Sequence, residues 1–445
     1  MMLLMMKCPF ERLVHLHIGF DEEDDLSGNL HTGAIAALKY LPQLKSLVIC
    51  GNLLSFDSLE QIHRFLPSLE QLELKYSMTT FPKGIPIDIA PANKLTHFTC
   101  ETERCDKNEQ FVLQYILAKY PSLVHLYLSY DLIVTNSQLI LIEYIASEME
   151  PALLSFISQL PLTLTSFKSQ SYRTTKPVID TVARLSNMNE FHLCIDHRTG
   201  HDVATLEYCH SKGVLQSLER LWITAQYFND IGTDVEFETS LKELNIDLVY
   251  ERPLEPRNIF HFDSVFKVHP LLESLSIAAE GYGVDIGNGI EIDQLNVREL
   301  SLRVDILSDR VIPFIKNTMP YLKRLSLEVY NNGLSSEDGG GYEDEDGNKE
   351  IMVAHFSGKE LSLPNHCLEH LSITAPLLRH NIICSVSSII ENKRKYYLFS
   401  QSESKVKYCG MEPPNVKEKK DEVYHYIDIH CKELWHLTVG DIEVF

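Results

Sequence analysis

The 445-residue sequence predicts an α/β fold, a single solenoid over residues 1–445 in which about 14 irregular coils each add one short strand to a parallel sheet. Three observations predict it. One apolar phrase recurs along the chain, segments with helical periodicity separate its copies, and prolines precede many copies at the same place. Because a repeat array lengthens without adding new cores, the length does not by itself indicate several domains.

The phrase is L-x-x-L-x-L, in which Ile, Val, Phe, Met or Cys replaces some leucines. Copies begin at Leu13, Leu44, Leu69, Leu95, Leu123, Met188, Leu218, Leu241, Leu272, Val297, Leu322, Leu368 and Leu434, and a degraded copy begins at Leu164. Several neighbouring copies are 25 or 26 residues apart. The fourth and sixth positions alternate as in a strand and should face the core, whereas the third, fifth and seventh face the other way. Each copy therefore predicts one strand.

The segments between copies should close each coil. Four of them have helical periodicity: Ser58 to Phe65, Glu109 to Lys119, Asp202 to Lys212 and Asp309 to Asn317. A proline stands just before many copies, at Pro42, Pro67, Pro121, Pro161, Pro270 and Pro320. Proline cannot donate the hydrogen bond that would continue a helix, and it disfavours helix in the residue before it. We therefore expect the helices to end there.

Segments such as FLPSLEQLELKYS, KYPSLVHLYLSYD, HPLLESLSIAAE and MPYLKRLSLEVY resemble the repeats of ribonuclease-inhibitor-like leucine-rich-repeat proteins, especially those of fungal F-box leucine-rich-repeat proteins. The resemblance covers roughly Pro9 to Phe445. It implies a horseshoe with the parallel sheet on the concave face and the helices on the convex face. It also implies a protein-protein interaction module that recognises the substrates of a ubiquitin ligase.

The chain departs from that family in two ways. The Asn or Cys expected at the ninth position of the repeat occurs at Asn52 but is mostly replaced, for example by Ser77, Asp131, Glu280 and Tyr330. The F-box that would dock a Skp adaptor is not identifiable, since the first phrase already begins at Leu13. We therefore expect either a truncated chain or an N-terminal edge that a partner covers. A free-standing leucine-rich-repeat scaffold or inhibitor, unrelated to ubiquitination, is the alternative function.

Three long gaps interrupt the period. The gap after Leu123 should hold a further degenerate repeat within Leu139 to Leu154. Residues 333–352 form an acidic, Gly-rich insertion, and residues 392–423 form a basic, Pro-containing insertion within the last repeats. Such compositions bury little apolar surface. We expect Ser335 to Glu350 and roughly Ser402 to Glu422 to be mobile.

The composition disfavours some partners and indicates where in the cell the protein is located. A formal net charge of −22 would repel a phosphate backbone, so nucleic acid and anionic membranes are not expected partners. No apolar run approaches the roughly 18 residues that span a bilayer, and no Asn-x-Ser/Thr acceptor occurs. The ten cysteines are scattered rather than paired in caps. These features predict a cytoplasmic or nuclear protein.

No catalytic or cofactor site is expected. The best metal constellation is His192, Cys194, His197 and His201, but two of them alternate along a strand and two follow in a loop, so ordinary surface histidines are the expected interpretation. The sequence contains no nucleophile elbow, Walker loop, H-E-x-x-H or papain-like signature. The acidic insertion lacks the ligands of a calcium loop. We therefore expect a protein that is not an enzyme.

The partner should lie on the outward strand positions, because repeat proteins bind ligands on the sheet surface that their core does not need. In the middle of the array these positions hold His125, Tyr127, Lys168, Glu190, His192, Arg220, Trp222 and Thr224. Aromatic and Arg side chains dominate many interface energies. Trp222 in particular is expected to be exposed. The alternative is that Trp222 and Tyr127 pack against their strand neighbours and bind nothing.

Overall fold

A computed structural model describes residues 12–19, 29–51, 54–75, 78–80, 89–102, 109–130, 154–169, 174–195, 202–225, 240–248, 259–287, 294–329, 359–374, 381–388, 393–400, 405–410, 424–439 and 442–443. The acidic insertion and residues 139–153 of the degenerate repeat lie outside these ranges. The chain forms two compact units. The N-terminal unit holds Met1–Ile195 and Ala204–Leu218, and the C-terminal unit holds Asp196–Val203 and Glu219–Phe445. That one array runs through both stays a prediction.

The N-terminal unit alternates strands and helices. Its elements are β1 (His15–Gly19), α1 (Asn29–Ala37), a 3₁₀ turn (Leu38–Tyr40), β2 (Ser46–Cys50), β3 (Leu54–Ser55), α2 (Phe56–Phe65), β4 (Gln71–Lys75), β5 (Met78–Thr80), β6 (His97–Thr102), α3 (Glu109–Lys119), β7 (His125–Tyr130), β8 (Ser166–Ser169), α4 (Lys176–Val182), β9 (Glu190–Ile195), most of α5 (Asp202–Ser211) and α6 (Val214–Ser217). The order β1-β2-β4-β6-β7-β8-β9 is parallel throughout, and β3 pairs with β5.

The C-terminal unit continues the same pattern and then changes it. Its elements are β10 (Arg220–Ala225), β11 (Glu243–Leu248), β12 (Ile259–His261), α7 (Phe262–Val268), β13 (Ser274–Asp285), β14 (Glu299–Leu307), α8 (Val311–Thr318), β15 (Arg324–Val329), β16 (Lys359–Thr374), β17 (Asn381–Ser388), β18 (Lys393–Ser400), β19 (Lys405–Gly410), β20 (Tyr424–Val439) and β21 (Ile442–Glu443). The order β10-β11-β13-β14-β15-β16-β20 is parallel.

The strand register confirms the repeat. The fourth and sixth positions of every copy, including the degraded one at Leu164, lie on one of these strands. Equivalent phrase positions face each other from coil to coil, as Leu244, Leu275 and Leu300 do across β11, β13 and β14. Each unit is therefore a mostly parallel α/β stack of coils.

Burial alternates along most of the parallel strands as the phrase predicts, whereas β8 and β9 also bury the outward-position residues Ser166, Glu190 and His192. In β13, Leu275 is 1% exposed and Ile277 is 0% exposed, whereas Ser274 and Ser276 are half-buried. The fourth and sixth positions therefore fill the core, and the third and fifth lie on the opposite face of the sheet.

A backbone hydrogen-bond pattern fixes the stagger between successive coils. The carbonyl of the second phrase position accepts the N–H groups of both the second and the third position of the next coil. Val14 O accepts from Lys45 N and Ser46 N, and Glu219 O accepts from Lys242 N and Glu243 N. Because both amides are satisfied at the point where each strand starts, equivalent side chains stack in rows across each unit.

The predicted helices are confirmed, and their ends follow the prolines. Glu109–Lys119 has the predicted bounds, and Phe56–Phe65 begins two residues earlier than predicted, where the Ser55 hydroxyl accepts a hydrogen bond from Ser58 N at 3.2 Å. The helix cap at Leu66 directly precedes Pro67, and the N–H of Leu66 still reaches back to a helix carbonyl. Helix therefore stops where the next N–H is missing.

Part of the basic insertion at 392–423 forms antiparallel strands. Lys405–Gly410 pairs antiparallel with Lys393–Ser400, which pairs antiparallel with Asn381–Ser388. Lys405–Gly410 thus forms a strand within the stretch expected to be mobile, because Tyr396 to Phe399 and Val406 to Cys409 supply aromatic and β-branched residues that favour strand despite the neighbouring lysines. The mobility of 402–422 stays a prediction. Residues 411–423 lie outside the described part.

Candidate partner-binding surface

In the N-terminal unit, the predicted partner residues His125, Tyr127, Lys168 and His192 lie on three adjacent strands, β7, β8 and β9. The register places Tyr127 opposite Lys168, and the third-position residues of the same strands face one another. All four occupy third or fifth positions and so project from the sheet face opposite the core. His125, Tyr127 and Lys168 are half-buried. The structure thus brings these four together on one patch.

The edge of this patch is an imidazole pair. His97 and His125 are register partners, and their rings stack with centroids 4.2 Å apart and an interplanar angle of 20°. The Thr96 hydroxyl lies 2.9 Å from His97 Nδ1. Burial lowers the pKa of His97, and the Glu70 carboxylate opposes part of that shift. The lowered pKa favours the uncharged ring, which can stack on its neighbour without charge repulsion.

On the other side of the patch, Glu190 and His192 are buried. Lys168 Nζ lies 2.6 Å from Glu190 Oε1, with side chains 22% and 5% exposed. His192 is only 4% exposed, so the expectation of an ordinary surface histidine is wrong. The pKa of His192 falls from 6.5 to about 4, first because burial penalises the charged form and second because Lys168 repels it. At neutral pH His192 is therefore an uncharged, enclosed ring, and Tyr127 and His125 are the more accessible members.

Lowering the pH from 7 to 5 is expected to destabilise the protein, with His192 accounting for about 2 kcal/mol of the loss. Its folded-state pKa of about 4 lies below the ordinary 6.5, so the unfolded chain takes up a proton first. The penalty is negligible above pH 6.5 and grows as the pH falls toward 4. Urea unfolding at both pH values should show a smaller loss in His192→Asn.

Exposed His15, a third-position residue of the same unit, provides the control, since His15→Asn should leave the pH dependence unchanged. His63 and His269 also have lowered pKa values, about 3 and about 4, because both are buried. The test therefore compares each variant with the parent chain. Equal pH dependence in His192→Asn and the parent would contradict the enclosed, uncharged His192.

In the C-terminal unit, Arg220, Trp222 and Thr224 line the outward face of β10. The register sets them opposite Glu243, Asn245 and Asp247 of β11. Trp222 is half-buried, not fully exposed as expected, and so is Arg220. Each side chain thus has one flank against its sheet neighbours and one flank accessible. This leaves part of an aromatic side chain accessible beside a cation, a composition found at many interface hot spots.

Sequence reasoning missed a row of small hydroxyl side chains in the C-terminal unit. The fifth positions of five successive coils are in register and hold Ser276, Ser301, Ser326, Ser372 and Thr438. The flanking rows are larger: Arg324 and Glu299 form an ion pair on one side, and Arg303 Nε lies 3.6 Å from Glu328 Oε2 on the other. The row could have been read from the recurring LSI and LSL within the phrases.

The predicted metal constellation is only partly described. Cys194 is half-buried. The Thr174 N–H donates to Cys194 O at 2.7 Å, and the Cys194 N–H donates to the Thr174 hydroxyl oxygen at 2.9 Å. His197 and His201 lie outside the described residues. Within the described ranges, no group of three His, Cys, Asp or Glu side chains could hold a metal ion. The helices in those same ranges include none that is long and apolar enough to cross a bilayer.

No family model matches the chain, and no curated protein matches it. Sixteen chains of solved structures do match. One of them is the crystal structure of a TLR13–ssRNA13 complex, with 15% sequence identity and a TM-score of 0.27. The match covers 82% of this chain and 55% of that chain. The coil architecture of each unit rests instead on the strand register and the alternating burial.

Proposed function

We propose that this chain is a non-enzymatic protein-interaction module that holds another protein on the outward strand positions. The supporting observation is the register, which places rows of third- and fifth-position side chains at fixed spacing on a sheet face that the core does not use. In a leucine-rich-repeat horseshoe this face is the concave one. Such rows can be varied without disturbing the fold, which suits recognition of a large, specific partner.

The residue types favour a protein partner over a nucleic acid or a membrane. Tyr127 in the N-terminal unit and Trp222 and Arg220 in the C-terminal unit are partly accessible. Aromatic and Arg side chains are enriched at protein interfaces. A net charge of −22 opposes binding to phosphate-rich surfaces. A protein surface is therefore the ligand class that these rows fit best.

Trp222→Ala and Arg220→Ala are each expected to weaken partner capture by about 2 kcal/mol, because truncating a hot-spot side chain removes both contact area and a pocket for the partner. The measurement is quantitative affinity capture from a cell extract with the purified chain, followed by mass spectrometry of the retained proteins. Proteins that the parent chain retains and both variants lose are the specific partners.

Two controls make the result interpretable. Ile259→Ala changes an apolar side chain of the same unit that is 56% exposed and lies away from these rows, and it should retain the same proteins. The melting temperature of both test variants should stay near that of the parent, because neither side chain fills the core. Intact folding with unchanged capture would mean that the partner is not held by β10.

The finer proposal rests on the sequence resemblance alone. It makes the chain the substrate-recognition repeat region of an F-box-type ubiquitin-ligase receptor in the cytoplasm or nucleus, with the Skp adaptor of a cullin-RING ligase as a further partner if an F-box lies upstream. The alternative is a free-standing scaffold or inhibitor. Co-purification of the complete gene product with the adaptor distinguishes them: retention supports the receptor, and its absence supports the scaffold.

A further inference from the structure

A groove runs across the C-terminal unit beside the first residues of its phrases. It encloses about 970 Å³ and is lined by residues that precede or open the phrases of successive coils, from Ser240 and Lys242 to Cys367 and Lys432. In β13, β14 and β15 these residues lie where the coil enters its strand, and Cys367 and Lys432 lie just before the phrase within the longer strands β16 and β20. The outward rows of third and fifth positions begin only beyond them. The groove is therefore a different surface from the proposed interaction face.

Two exposed apolar side chains lie in this groove at equivalent positions. Leu271 and Tyr321 each directly precede the first residue of a phrase, and each is 56% exposed. Their coils are two apart, with Asn296 at the same position in the coil between them. A strand spacing of about 4.8 Å puts such residues roughly 10 Å apart along the groove. A polyproline-II segment repeats every three residues over about 9.3 Å, so its side chains at i and i+3 match this distance.

The groove is basic, although the chain as a whole is acidic. Four cations, Lys242, Arg298, Lys323 and Lys432, line it, against one carboxylate, Glu273. Three of the four already pair with a carboxylate: Lys242 with Glu219, Arg298 with Glu273 at 3.7 Å, and Lys323 with Glu369. The whole chain has 40 Lys and Arg against 62 Asp and Glu. An anionic segment is thus repelled by most of the molecule and attracted at this groove, which would fix where and in which register it binds.

The cations can change partners at little cost. Lys242 pairs with Glu219 at 3.0 Å and Lys323 pairs with Glu369 at 2.6 Å, and all four side chains are 41–54% exposed. Exposed pairs of this kind contribute little to stability, so a ligand carboxylate can replace or share them. Lys432 is exposed and makes no ion pair within the described part of the chain. It is the cation most available to a ligand.

We propose that this groove docks an acidic, extended segment of a partner protein, in which two apolar side chains three residues apart contact Leu271 and Tyr321 while flanking carboxylates pair with Lys432 and Lys323. The proposal does not rest on the interaction face described above. A nucleic-acid strand fits less well, because it has no aliphatic side chains between its charges to contact Leu271.

The test uses fluorescence anisotropy with the full chain and a labelled twelve-residue peptide, EEDLEDLEEDEE, at low ionic strength. Binding is expected to weaken about tenfold in Lys432→Glu and about tenfold in Tyr321→Ser. Two matched variants should bind as the parent does. Lys267→Glu makes the same charge change at an exposed lysine on α7, and Ile259→Ser makes a matched change at a side chain equally exposed as Tyr321.

Two further probes separate the contributions. The peptide EEDSEDSEEDEE lacks the apolar contacts with the groove, and the peptide QQNLQNLQQNQQ lacks the ionic contacts. Each is expected to bind at least tenfold more weakly than the parent peptide. Equal binding by all four variants, or no binding of the parent peptide, would overturn the proposal. So would tighter binding of a twelve-nucleotide oligothymidylate that responds to the same substitutions, since it would assign the groove to nucleic acid.

Discussion

Replacing Lys119 with Met is expected to lower the free energy of unfolding by about 3 kcal/mol, the lower end of the cost of breaking a buried ion pair. Lys119 Nζ lies 2.7 Å from Glu60 Oε2, with the two side chains 2% and 25% exposed. The Tyr115 hydroxyl donates to the other Glu60 oxygen at 2.6 Å. Without the ammonium, a largely enclosed carboxylate would keep, among the described residues, the Tyr115 hydrogen bond but no cation, while Met fills nearly the same volume.

Tyr115 cannot take over the role of the lost cation. Burial, assisted by Tyr120 and Glu60, raises the pKa of Tyr115, so its hydroxyl stays protonated and supplies a neutral donor only. Lys119 therefore provides the positive charge in this contact between α2 and α3. The penalty should come from the unpaired Glu60 charge rather than from lost packing.

Urea unfolding of the single and double variants tests that assignment. Glu60→Gln combined with Lys119→Met should recover much of the loss, because the double variant buries no uncompensated charge. Lys45→Met is the matched control: Lys45 pairs with Glu70 at 2.8 Å, but both side chains are about half exposed, so stability should stay nearly unchanged. A similar loss in Lys45→Met, or no recovery in the double variant, would show that the Lys119 charge is not what matters.

The strands were predictable because a one-residue error in register would turn every apolar side chain to the wrong face. In β10, Leu221 and Ile223 could only be placed together in the core, which left Arg220 and Trp222 on the other face. The α3 bounds followed from the same argument with helical periodicity. These features depend on local spacing, which a single sequence contains.

Features that depend on distant segments were not predictable. The phrase assigns His192 to the outward face, but the local pattern does not say what else covers that face, and His192 is enclosed. Lys119 closes a helix and would be expected in solvent, yet its partner Glu60 belongs to another helix 59 residues away. The row that begins at Ser276, by contrast, follows from local spacing alone, because its members occupy the fifth position of successive phrases.

Leu275→Ala is expected to lower the free energy of unfolding by about 2 to 5 kcal/mol, because it removes buried methyl groups and leaves a cavity that its neighbours fill only partly. Leu275 is 1% exposed and lies between Leu244 and Leu300 in the parallel ladder. Thermal and urea unfolding measure the loss. Leu271→Ala makes the same change in the same coil at a side chain that is 56% exposed, and it should cost far less. If the two variants unfolded alike, the fourth phrase position would not be the core position that the register assigns to it.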